Sequence, residues 1–216
     1  MIGRPGGTGT TPGGGPSRFP GFDVLSEAKH WDSVTQGMVL SRLSLPAPLR
    51  FFTLAEEAIA RPLVDALLAQ DQEPRVPVLE MVDARLAEFQ TDGWRYAELP
   101  EDGQAWKRSL QALDEDARTE HGHGFADCDS HQQHALIQAV QDLQSQDWHD
   151  LRADRIWSLW TRYACTAFYS HPWAWNEIGF PGPAYPRGYK NPGVDAREPF
   201  EVADAQPKDP TRGAGR

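Results

Sequence analysis

Four histidines, a cysteine and two carboxylates crowd one stretch of the chain: His121, His123, His131 and His134 flank Asp127, Cys128 and Asp129. Imidazole, thiolate and carboxylate are the ligand types a transition metal accepts. His131 and His134, at i and i+3 on an expected helix start, would share one face. The spacings fit no standard zinc pattern, because the chain has no Cys-x-x-Cys and no His-Glu-x-x-His. A polar loop between helices, with solvated histidines and a capping Ser130 or Asp129, accounts for the same residues. His121, His123, Cys128, His131 and His134 are the candidate metal ligands, set against that plainer reading.

Catalytic equipment is harder to find. Asp114-Glu115-Asp116 supplies carboxylates, but consecutive positions on a helix point in different directions, and such a run is expected to be a solvated face. No Gly-x-Ser-x-Gly elbow, no Gly-x-Gly-x-x-Gly between strand and helix and no Cys-x-x-Cys-His is present. No catalytic residue and no cofactor-binding residue is therefore assigned. An acid/base pair assembled across helices leaves no spacing signal to read.

The richest constellation lies at 170–189, Ser-His-Pro-Trp-Ala-Trp-Asn-Glu-Ile-Gly-Phe-Pro-Gly-Pro-Ala-Tyr-Pro-Arg-Gly-Tyr. Pro172, Pro181, Pro183 and Pro186 forbid a continuous helix, and Gly179, Gly182 and Gly188 allow sharp reversals. Trp, Tyr and Arg dominate the energetic centres of protein interfaces. Trp173, Trp175, Glu177, Phe180, Tyr185, Arg187 and Tyr189 are thus the candidate partner-binding residues, with Glu177 and Arg187 available to pair. Two readings stay open and are compatible: the segment fills gaps on its own bundle, or it faces a partner.

The elements that must position these residues read as helices. Thr53-Leu54-Ala55-Glu56 is a capping box, opening a helix whose Ile59, Leu63, Ala66 and Leu67 form the apolar face and whose Pro62 should kink or split it. Further helices are expected at about 77–89 (Leu79, Val82, Leu86, Phe89) and 104–117 (Trp106, Leu110, Leu113, Ala117). Two more follow: one starting at Asp129 or Ser130, and one at 150–169 that is apolar over more than one stripe and ends at Pro172. No period-two strand pattern appears. The expected fold is all-α, a bundle of about five helices with a long aromatic, proline-rich C-terminal loop. Gly/Pro-rich composition marks 1–21 and 196–216 as disordered tails around a single domain at 22–195.

Composition narrows the function classes. The 216 residues carry a net charge of −10, and 101–154 alone hold 12 Asp/Glu against 4 Lys/Arg. Nucleic-acid and anionic-membrane binding need clustered cations, so neither is expected. No apolar run is long enough for membrane insertion. Two cysteines, Cys128 and Cys165, permit at most one bridge. Met1–Gly7 shows no apolar signal region, which points to the cytoplasm, or to a periplasmic place only by export with a partner.

The C-terminal string resembles the signature of the gluconate 2-dehydrogenase subunit 3 family. The matching residues are Tyr169, His171-Pro172, Ala174-Trp175, Glu177-Ile178-Gly179-Phe180 and Gly182-Pro183-Ala184-Tyr185-Pro186-Arg187-Gly188-Tyr189. Phe51-Phe52-Thr53 and Gly93-Trp94-Arg95-Tyr96 extend the resemblance over about 50–190. It implies a small non-catalytic subunit that binds, stabilises or matures the flavin-containing large subunit of a sugar or polyol dehydrogenase. FAD then belongs to that partner and no cofactor to this chain, and a cytochrome c subunit often takes the electrons onward. Many members carry a twin-arginine signal, which is not seen here. The alternative from the residues alone is a stand-alone metal-binding protein or enzyme using the His121–His134 cluster.

Overall fold

The computed structural model describes residues 18–44, 46–191, 193 and 196–203. Over 1–17 and 204–216 the two expected tails lie outside the described residues, as does the boundary expected at 195. The helices are α1 (Ser33–Ser41), α2 (Leu54–Leu68), α3 (Val78–Ala87), α4 (Asp102–His121), α5 (Ser130–Asp142), α6 (Ala153–Ser170) and α7 (Pro172–Ile178). Two 3-10 helices, Val24–His30 and Phe125–Asp127, accompany them, and the strands are β1 (Asp147–Trp148) and β2 (Leu151–Arg152). The fold is all-α. None of the described helices is long and apolar enough to cross a membrane.

These elements form two compact units. One, the helical unit, comprises 46–71 and 77–168; the other, the terminal unit, comprises 18–44, 72–76 and the described residues from 169 to 203.

In the helical unit, α2 packs on α3, α4 and α5. Its capping box is formed as expected, with Thr53 Oγ1 accepting from the Glu56 N–H at 3.3 Å and Glu56 Oε2 accepting from the Thr53 N–H at 2.8 Å. Pro62 does not split the helix, which runs unbroken from Leu54 to Leu68. Burial of Ala60, Leu63 and Val64 on both sides of the proline holds the two halves as one helix. In α3 the expected stripe of Leu79, Val82 and Leu86 is buried, but Phe89 is 78% exposed. The helix ends at Ala87, and a left-handed φ of 53° turns Phe89 out of the stripe.

Asp83 lies on that same buried stripe. Its carboxylate accepts from the backbone N–H groups of Arg50 (2.6 Å), Phe51 (2.9 Å) and Phe52 (2.8 Å), which fixes the turn leading into α2. A buried carboxylate is tolerable only with such partners.

α4 and α6 supply the aromatic centre. Phe52, Trp106 and Tyr163 meet edge-to-face in series at 6.0 Å per step, and Trp148 meets Trp160 at 5.8 Å. Two of the polar tips are satisfied: Trp160 Nε1 donates to Ser109 Oγ at 2.9 Å, and the Tyr163 hydroxyl donates to Asp102 at 2.7 Å, whereas the buried Trp106 Nε1 has no acceptor among the described residues. Burial, followed by that bond to Asp102, pushes the Tyr163 hydroxyl pKa upward.

The helix expected from 150 begins instead at Ala153, because 147–152 form a hairpin. His149 and Asp150 occupy its two-residue turn with φ of 49° and 58°. Two residues per strand are too few to show a period. Asp116 holds this hairpin, accepting from Trp148 Nε1 at 2.7 Å and meeting His149 Nε2 at 2.7 Å. Asp114 accepts from the Phe125 N–H at 2.8 Å. The acidic run at 114–116 is therefore not just a solvated face.

Candidate partner-binding surface

The expected C-terminal loop is about one-third helix, in α7. Pro172 ends α6 and also opens α7 as its first residue, where its missing N–H costs nothing. His171 caps α7, its Nδ1 accepting from the Trp173 N–H at 3.3 Å, while the other ring nitrogen donates to the Arg42 backbone carbonyl. Burial lowers the His171 pKa to about 4, more than the Arg42 carbonyl raises it. The imidazole is therefore neutral, as a cap acceptor must be.

Trp175 is 5% exposed. It packs with Val24, Trp31 and Val39, lies edge-on to Phe180 at 5.3 Å, and donates from Nε1 to the Tyr169 carbonyl at 2.7 Å. The candidate contact residue Trp175 is thus a core residue of the terminal unit. Asn176, also buried, accepts from the Val24 N–H at 2.8 Å and ties α7 to the 3-10 helix at Val24–His30.

Beyond α7 the chain reverses at Gly179 (φ 66°) and Gly182 (φ 77°). A Cβ at Gly179 would come within 2.4 Å of the Phe19 ring, and one at Gly182 within 2.4 Å of the Trp31 ring. Both positions demand glycine twice over, by conformation and by space. Arg187 then reaches Glu27 at 2.5 Å and lies 3.8 Å from the centre of the Phe200 ring. The expected pairing of Arg187 with Glu177 gives way to Glu27, which the Val24–His30 helix presents. Glu198, from the stretch expected to be tail, accepts from the backbone N–H of Asn191 at 2.5 Å and from that of Lys190. Those bonds hold its carboxyl below the ordinary range.

With the segment fixed this way, Tyr185 (65% exposed) and Tyr189 (58%) stand outward, as do Tyr169 and Ile178. Trp173, Glu177 and Phe180 are half-buried. The structure therefore separates the seven candidates into a core residue, Trp175, a strut, Arg187, and residues with free surface. Sequence reading missed Glu27, Asn176, Phe19 and the cap made by His171. Only the last had a local signal, a polar residue directly before a proline at a helix start.

The histidine cluster is dispersed by comparison. His134 Nδ1 lies 2.5 Å from the Ser130 carbonyl of its own helix, and His131 is exposed. His121 and His123 stack at 6.1 Å, and Cys128 Sγ lies 3.7 Å from His123 Nδ1. Burial, then the carboxylates of Asp129 and Asp127, raises the Cys128 pKa and keeps it a thiol. Among the described residues no three His, Cys, Asp or Glu side chains converge. Cys128 and Cys165 are both free.

The family model described as Gluconate 2-dehydrogenase subunit 3 matches residues 55–182, more than half the chain. No curated protein and no solved structure matches significantly.

Proposed function

Because the chain belongs to the gluconate 2-dehydrogenase subunit 3 family, one of the subunits of a dehydrogenase complex, we propose that it is the non-catalytic accessory subunit. In this reading it binds and stabilises a large FAD-containing subunit, which carries the hydride chemistry, and a cytochrome c subunit takes the electrons onward. The family match over 55–182 carries the proposal. The terminal unit supports where the contact lies. Tyr185 and Tyr189 offer large apolar area on a backbone braced by Trp175, Asn176 and Arg187, so little order remains to be lost on binding.

The test is co-expression with a flavin-dependent dehydrogenase subunit and purification through a tag on this chain, read by flavin absorbance. Wild type should bring flavin down with it, and Tyr185→Ala with Tyr189→Ala should lower the recovered flavin by roughly tenfold. No flavin with wild type defeats the subunit reading. Undiminished flavin with the double variant defeats only the tyrosine surface.

A further inference from the structure

The helical unit contains a cleft of about 640 Å³ between the 46–54 segment and helices α2 and α3. A volume of that order is typical of a site for a small molecule or a few residues of peptide. One wall is apolar. Residues 46–49 belong to no helix or strand, and Pro46 and Pro48 have no N–H to offer, so Leu49 and the prolines present hydrocarbon. Leu54, first residue of α2, completes that wall and is 86% exposed.

The other end is charged and unbalanced. Of the charged residues lining the cleft, Glu57 and Glu80 are acidic and Arg61 alone is basic. Arg61 Nη2 bridges the two acids, at 2.6 Å to Glu57 and 3.0 Å to Glu80. Glu80 Oε2 is buried and has no hydrogen-bond donor among the described residues. Burial by itself would lower the Arg61 pKa, yet the bonds to Glu57 and Glu80 reverse this and leave it raised. Two carboxylates against one guanidinium still favour a second cation there.

We propose that this cleft docks a segment of a partner polypeptide that presents an aliphatic side chain beside an arginine or lysine. The aliphatic group lies against Leu49, Leu54 and the prolines, and the cation approaches Glu57 and Glu80. The inference concerns the helical unit alone. It stands whether or not Tyr185 and Tyr189 contact a flavoprotein.

Two probes test it by amide chemical shifts on the full chain: acetyl-Leu-Arg-Leu-Arg-amide and acetyl-Leu-Glu-Leu-Glu-amide. The basic peptide should shift resonances of Leu49, Leu54, Glu57 and Arg61 at about millimolar concentration, with the acidic one roughly tenfold weaker. Leu54→Ser, at an exposed position that leaves folding intact, should abolish the shifts, and Glu80→Gln should reduce them for the basic peptide only. Equal response to both peptides, no response to either, or shifts confined to other residues overturns the proposal. A dimer in sedimentation that Leu54→Ser dissolves would give the cleft to a second copy of the chain, and that too overturns it.

Discussion

The Arg187 guanidinium meets the Glu27 carboxylate at 2.5 Å across 160 residues of sequence. Both side chains are mostly buried, so the pair is neither fully screened by water nor wholly desolvated. It fixes where the chain between Gly182 and Tyr189 runs, and with it the outward direction of Tyr185 and Tyr189. Arg187→Ala should cost about 1–3 kcal/mol in denaturant unfolding, since Glu27 is left unpaired. Glu27→Gln should cost less. A double-mutant cycle gives the coupling, and a coupling near zero would show the pair to be incidental.

Asp83 is the most exacting polar group in the helical unit, because three backbone N–H groups converge on one carboxylate. Asp83→Ala should lower stability by about 3 kcal/mol, with the Arg50–Phe52 turn losing its partners and α2 its entry angle. Asp83→Asn should cost less, since a carbonyl oxygen can still accept from Phe51 and Phe52. Urea unfolding separates the two, and equal costs would mean that the second oxygen and its Arg50 contact are what matter.

What could be read without coordinates were the features whose partners lie within four residues. Thr53 and Glu56 announce α2, Asp129 announces α5, and the Trp106–Leu110–Leu113–Ala117 stripe gives α4 its buried face. What escaped depends on contacts distant in sequence. Nothing near Asp83 tells it from a surface acid, because its donors are over thirty residues upstream. Nothing near Arg187 points to Glu27 rather than Glu177. α1 escaped for a different reason: only Val39 of its nine residues is buried, so no apolar stripe marks it. For Trp175 the sequence leaves both a partner contact and packing on its own bundle open, and the structure buries it at 5% exposure. Composition reports that an aromatic is there, and only packing reports which way it faces.

Gly179 combines a left-handed φ of 66° with a Phe19 ring where a Cβ would stand. Gly179→Ala should therefore lose more than the roughly 1 kcal/mol that this conformation costs an alanine. Phe19→Ala frees the space, so the double variant should be more stable than the two single losses added together predict. Strict additivity in thermal melts would mean that the backbone conformation alone is at stake and that the Phe19 contact is loose.

His171 makes the terminal unit sensitive to acid. Its pKa is about 4 in the folded chain against an ordinary value of 6.5, so above 6.5 both states are neutral and its contribution is complete. As the pH falls from 6.5 towards 4 the unfolded chain takes up a proton that the folded chain refuses, and the stability drains away, reaching about 3 kcal/mol once both are protonated. Carboxylates titrate in the same range, so the fall in wild type alone does not identify the histidine. His171→Asn keeps a side-chain oxygen for the Trp173 N–H and removes the titration. It should be the less stable protein at pH 7, for want of the bond to the Arg42 carbonyl, yet lose less on going to pH 4.5. Parallel losses in the two proteins, measured by urea unfolding at both pH values, would show that the ring is reached by protons in the folded state and that acid acts elsewhere.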